Sequence, residues 1–166
     1  MRLAEEKKVV LVASALNLAT GATQVTKGID MKNFHRCTFL IDVGTMGSSN
    51  SALKAYSGAA DATLSSAIAF KYAYGGSTSI QGTIAAGADV LAAETTVVAA
   101  TGLVIVQATY PNYLLVVEVE ATMMDVANSE NWLMLEFTDA GTSTGLVSIF
   151  AVLDPRYTGN RSLTAL

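Results

Sequence analysis

Tyr113-Leu114-Leu115-Val116-Val117-Glu118-Val119-Glu120-Ala121 is the stretch that decides the fold. Successive side chains of an extended strand point to opposite faces, so Leu115, Val117 and Val119 share one side and Glu118 and Glu120 the other. A second stretch, Leu146-Val147-Ser148-Ile149-Phe150-Ala151-Val152-Leu153, is apolar on both faces apart from Ser148. That is the pattern of a central strand, or of one covered by a neighbouring subunit.

Working outward, the same alternation predicts strands at Lys8–Ala13, Phe34–Val43, Ala52–Tyr56, Ala67–Tyr74, Thr95–Ala99, Leu103–Thr109, Tyr113–Ala121, Asn131–Thr138 and Leu146–Leu153, separated by turn-rich segments. Ile68, Phe70, Tyr72 and Tyr74 are expected on one face, and Leu133, Leu135 and Phe137 on another. Many short strands at this spacing predict an all-β fold, a two-sheet antiparallel sandwich of jelly-roll-like type. The sandwich is expected over residues 9–153, with an N-terminal arm at 1–8 and a C-terminal arm at 154–166. The first eight residues are charged and carry no strand pattern, and Pro155 removes a backbone donor where the last strand should end.

Charged residues make up 14% of the chain, against roughly 25% in an average soluble domain. An isolated globule has too few ionised groups to cover its outside, which points to assembly with copies or partners. Charge is also sorted along the chain: between Tyr72 and Pro155 there are nine carboxylates and no lysine or arginine. This acidic middle is expected to attract the basic ends of an adjacent copy. No basic cluster is long enough to displace counterions from a phosphate backbone, so nucleic acid is not an expected partner. The uncharged stretch after Lys7 and Lys8 resembles a signal peptide only loosely, because Glu5 and Glu6 precede it and Asn17 and Thr20 interrupt it. Thr95–Val117 is long enough to span a bilayer but contains Gln107, Pro111 and Asn112, so no membrane span is predicted. The single cysteine, Cys37, forms no internal disulfide, which fits a reducing compartment or a particle assembled in the cytoplasm.

The residues that carry chemistry are sparse. His35 and Cys37 are two apart on a predicted strand and would share a face about 7 Å apart, but a small cysteine in an apolar strand is ordinary core. One His and one Cys do not make a zinc site. The loop Gly44-Thr45-Met46-Gly47-Ser48-Ser49 lacks the lysine of a phosphate-binding loop and reads as a connection between strands. No catalytic, metal or cofactor site is expected. Glu118, Glu120 and Glu136 are read as an exposed acidic sheet face. Trp132 is a candidate interface anchor. Tyr157, between Arg156 and Arg161 on the C-terminal arm, has little reason to be there unless it docks on something. A rival reading is a carbohydrate- or receptor-binding sandwich of a phage tail or baseplate, with Tyr110, Asn112 and Tyr113 as its nearest candidate residues.

The tail Asp154-Pro155-Arg156-Tyr157-Thr158-Gly159-Asn160-Arg161-Ser162, ending Thr164-Ala165-Leu166, resembles the carboxy-terminal ends of small virion proteins encoded near the major capsid gene of tailed bacteriophages. Leu53-Lys54-Ala55-Tyr56-Ser57-Gly58, Phe70-Lys71-Tyr72 and Tyr113-Leu114-Leu115-Val116-Val117-Glu118-Val119 are similar to the same proteins, in the same order. The resemblance implies a capsid decoration, or cement, protein: a β-rich homotrimer on the exterior of a virion, bound to the major capsid protein. On this resemblance Arg156 and Arg161 would meet carboxylates on a neighbour or on the shell, and Tyr157 and Leu163 would fill pockets.

Overall fold

The described residues alternate side by side along twelve strands that form two antiparallel sheets. The computed structural model describes residues 6–18, 22–47, 49–76, 90–138, 145–157 and 165–166. In chain order the strands begin with β1 (Lys8–Asn17), β2 (Gln24–Val25), β3 (Ile29–Asp30), β4 (Phe34–Met46), β5 (Ser51–Gly58) and β6 (Ser66–Ile68). They continue with β7 (Phe70–Gly76), β8 (Thr95–Val97), β9 (Leu103–Ile105), β10 (Tyr113–Glu120), β11 (Trp132–Phe137) and β12 (Gly145–Pro155). The first sheet has the spatial order β1-β12-β4-β10-β7-β8, and the second β2-β11-β5-β6, with β3 beside β11 and β9 beside β5.

The inner faces are the apolar rows read from the sequence. Cys37, Phe39, Ile41 and Val43 of β4, Leu115, Val117 and Val119 of β10, and Val147, Ile149, Ala151 and Leu153 of β12 are all buried in one core. They share it with Leu53 and Ala55 of β5 and Leu133, Leu135 and Phe137 of β11 on the opposing sheet. β12 lies between β1 and β4, which explains its inner row of apolar side chains but not its outer one.

Ala67–Tyr74, expected as one strand, is two strands in different sheets: it breaks at Ala69, between β6 and β7. The alternation runs through the break because the two inner faces look at each other. Ile68 enters the core from one sheet and Phe70 from the other. β2 and β3 were not expected, since two residues cannot show a period. Thr95–Val117 becomes β8, β9 and part of β10, and no helix among the described residues is long and apolar enough to cross a membrane.

β12 runs to Pro155, two residues beyond the expected end of the sandwich. Most of the C-terminal arm, residues 158–164, lies outside the described residues, as do residues 1–5. Ala165 is buried, and its carbonyl accepts a hydrogen bond from the Asp30 amide at 2.9 Å.

Candidate docking face

The outer face of the first sheet carries rows of side chains perpendicular to its strands. Strand pairing places Leu11 of β1 opposite Phe150 of β12, Phe150 opposite Leu40 of β4, Leu40 opposite Val116 of β10, and Val116 opposite Ala73 of β7. This is one apolar row across five strands. Val9 and Val152 extend it on one side and Leu114 and Leu146 on the other. Leu11 is 53% exposed, Val9 45% and Phe150 42%, so the β1–β12 side of the sheet presents large apolar groups to water. Near the β7 end the row sinks into a recess of about 140 Å³ lined by Ala73, Leu91 and Val116, with Lys71, Glu94 and Glu118 around it.

At the end where β4 begins and β10 ends, the same face turns ionic. The Arg36 guanidinium donates from Nε and Nη2 to Asp154 Oδ2 at 3.0 and 2.8 Å, and Lys7 pairs with the other oxygen of that carboxylate. Glu118 lies 4.0 Å from Arg36, and Lys71 pairs with Glu94 at 2.9 Å. Burial works to raise the Asp154 carboxyl, but the hydrogen bonds from Lys7 and Arg36 outweigh it and hold the group below the usual carboxylate range. The Asp154 hydrogen bond in turn pushes the Arg36 guanidinium up. Charge sorted by position in the sequence is therefore partly paired within one copy, because β4 of the basic segment lies between β10 and β12 of the acidic one.

The expected interface residues divide into separate places. Glu118 and Glu120 do share this outer face with Arg36, but Glu136 is on β11 of the other sheet, so the three carboxylates are not brought together. Trp132 opens β11, half-buried, opposite Asp30 and Gly58. Arg156 is tied back to the start of β4, its amide donating to the Asn33 carbonyl and its Nε to the Phe34 carbonyl. Tyr157 is 74% exposed. Arg161 and Leu163 lie outside the described residues. Phe150, Leu40, Arg36 and Asp154 were not singled out from the sequence, although the two-sided apolar pattern of Leu146–Leu153 was the signal for the first.

Other candidate chemistry does not converge. His35 and Cys37 do not share a face: the pairing of β4 with β12 shifts register between Arg36 and Phe34, which leaves His35 exposed while Cys37 is fully buried. Burial pushes the Cys37 thiol well up, with a further push from Asp154. Tyr110 is buried in a cluster of edge-on rings with Tyr74 and Tyr113, centroids 5.4 and 6.2 Å away, so it offers no open platform for a sugar. Burial, then Tyr72 and Tyr74, raise its phenol to about 12. Among the described residues no group of three or more His, Cys, Asp or Glu is placed to hold a metal ion. One buried carboxylate has no signal in the sequence, since its neighbours Asn128, Ser129 and Asn131 are all polar. Glu130 is buried and accepts hydrogen bonds from the Ser57 and Ser66 hydroxyls at 2.6 and 3.2 Å, linking the approach to β11 with β5 and β6.

No protein-family model matches the chain, and no curated protein matches it. The crystal structure of SPBc2 prophage-derived protein YomS is similar to it with a TM-score of 0.41 and 12% identity, over 89% of this chain and 91% of that one. At that distance the likeness assigns no function.

Proposed function

We propose that this chain is a structural virion protein of a tailed bacteriophage: a capsid decoration protein that binds the major capsid protein on the shell exterior as a homotrimer and stabilises the shell through many weak contacts. The observation that carries this reading is the outer face of the first sheet. An apolar row spans five strands and is open at its β1–β12 end, where Leu11 and Phe150 are exposed, and exposed apolar groups gathered on one face are characteristic of interaction sites. The low charge content and the tail resemblance support the same reading from the sequence. In it the protein needs no cofactor and performs no catalysis, contacts neither nucleic acid nor membrane, and joins the particle in the host cytoplasm. Each subunit contact is individually weak, and repetition over a shell multiplies its effect.

The test is uptake by shells. Particles of the parent phage that lack the protein, mixed with the purified chain, are expected to bind many copies and to release their DNA at a higher temperature than untreated particles. Particles that take up none would contradict the proposal. The carbohydrate-binding alternative loses one of its three candidate residues, because Tyr110 is buried.

A further inference from the structure

We infer that copies of this chain join through the outer face of the first sheet, related by rotation about an axis parallel to its strands, with Phe150 of one copy seated in the recess over Ala73 and Val116 of the next. The inference rests on the assembly reading above but not on any shell.

Rotation about an axis along the strands keeps every cross-strand row at its own height. The β12–β4 half of one face then meets the β10–β7 half of the next at the same level. In the apolar row this sets Leu40 against Val116 and Phe150 against Ala73, the largest exposed side chain of the row over its smallest. The recess of about 140 Å³ beside Ala73, Val116 and Leu91 lies where that phenyl ring arrives, so knob and hole occupy matching heights on opposite halves of one face. Packed faces of stacked sheets interdigitate in this way about 10 Å apart.

The ionic end makes the same match in charge. On the β1–β12–β4 half, Lys7 and Arg36 stand against one carboxylate, Asp154; on the β10–β7–β8 half, Glu94, Glu118 and Glu120 stand against one cation, Lys71. At this end the first half is net positive and the second net negative, and the rotation lays one over the other, with Arg36 at the height of Glu120; at the other end of the face Asp42 comes to the height of Leu114. A two-fold axis across the strands does neither. It would set Phe150 against itself, ring against ring, with no recess to receive it. Complementarity of a surface with itself, half to half, is what a closed cyclic oligomer requires.

The test is a cross-link between positions 150 and 73. Within one chain these lie three strand spacings apart, about 14 Å, beyond the roughly 7 Å that a disulfide allows between Cα atoms. Cys37 is fully buried and does not compete. Mild oxidation of the full-length double variant Phe150→Cys/Ala73→Cys is expected to give covalent dimers or closed trimers on a non-reducing gel, the top band counting the copies in the ring. Each single-cysteine variant should remain single chains. A Phe150→Cys variant that cross-links as fully as the double variant would overturn the axis. A double variant that still associates in solution yet stays uncross-linked would overturn the face. Phe150→Glu, at an exposed site, provides a second arm: its mass in solution should fall to that of one chain with the far-ultraviolet spectrum unchanged, and an unchanged mass contradicts the inference. If cross-linking succeeds while shells take up no protein, the virion reading fails and this inference stands.

Discussion

Gly58 has no room for a β-carbon. One placed there would lie 1.8 Å from the Thr63 carbonyl oxygen and 2.9 Å from the Met134 methyl. The first contact is with backbone, so the turn between β5 and β6 must shift. Gly58→Ala is expected to destabilise by about 3 kcal/mol or more, the upper part of the overpacking range, as read from chemical denaturation. Asp154 gives a pH-dependent prediction. Its carboxyl is held below its unfolded value, so its contribution is present above about pH 4 and is lost as pH falls through the lower folded value. Asp154→Asn should therefore lower stability by about 1–2 kcal/mol near pH 7, between exposed and buried pairs, and the two proteins' melting temperatures should converge at low pH. Cys37 is expected to react with thiol reagents only on unfolding; fast labelling of the folded protein would contradict its burial. At this scale the sequence revealed Cys37 as core, since it alternates with Phe39 and Ile41. It hid Glu130, whose neighbours in the chain are polar while its own carboxylate sits beneath two serine hydroxyls.

At the scale of the element, β12 separates two kinds of burial. Ile149 and Phe150 are adjacent, yet one is fully buried and the other 42% exposed. Ile149→Ala should cost about 2–4 kcal/mol through lost contacts and a cavity and leave the surface chemistry of the sheet unchanged. Phe150→Ser should cost about 1 kcal/mol or less, as surface changes do, yet weaken association. Equilibrium unfolding and light scattering on both variants check the contrast. This strand was legible because seven apolar residues out of eight in a row allow few readings. β6 and β7 were not, because a chain passing between facing sheets keeps its period of two. The short β2 and β3 were illegible for the opposite reason: they are held by neighbours on β11 rather than by any pattern of their own.

The whole molecule reorganises what the sequence separates. A reading along the chain finds a basic beginning and an acidic middle, and expects them to meet between copies. Folding already joins some of them, through Arg36, Lys7 and Asp154 and through Lys71 and Glu94, and leaves an imbalance between the two halves of one sheet face. Sequence periodicity could assign side chains to faces but not strands to neighbours, so neither the apolar row nor its charged flank was visible before the strand order was known. The central claim is that this face exists to be covered by another copy. Mass measurement by light scattering at rising protein concentration tests it most directly. A small whole-number multiple of one chain, collapsing to a single chain in Phe150→Glu, is the expected result; a single chain at every concentration would contradict the account.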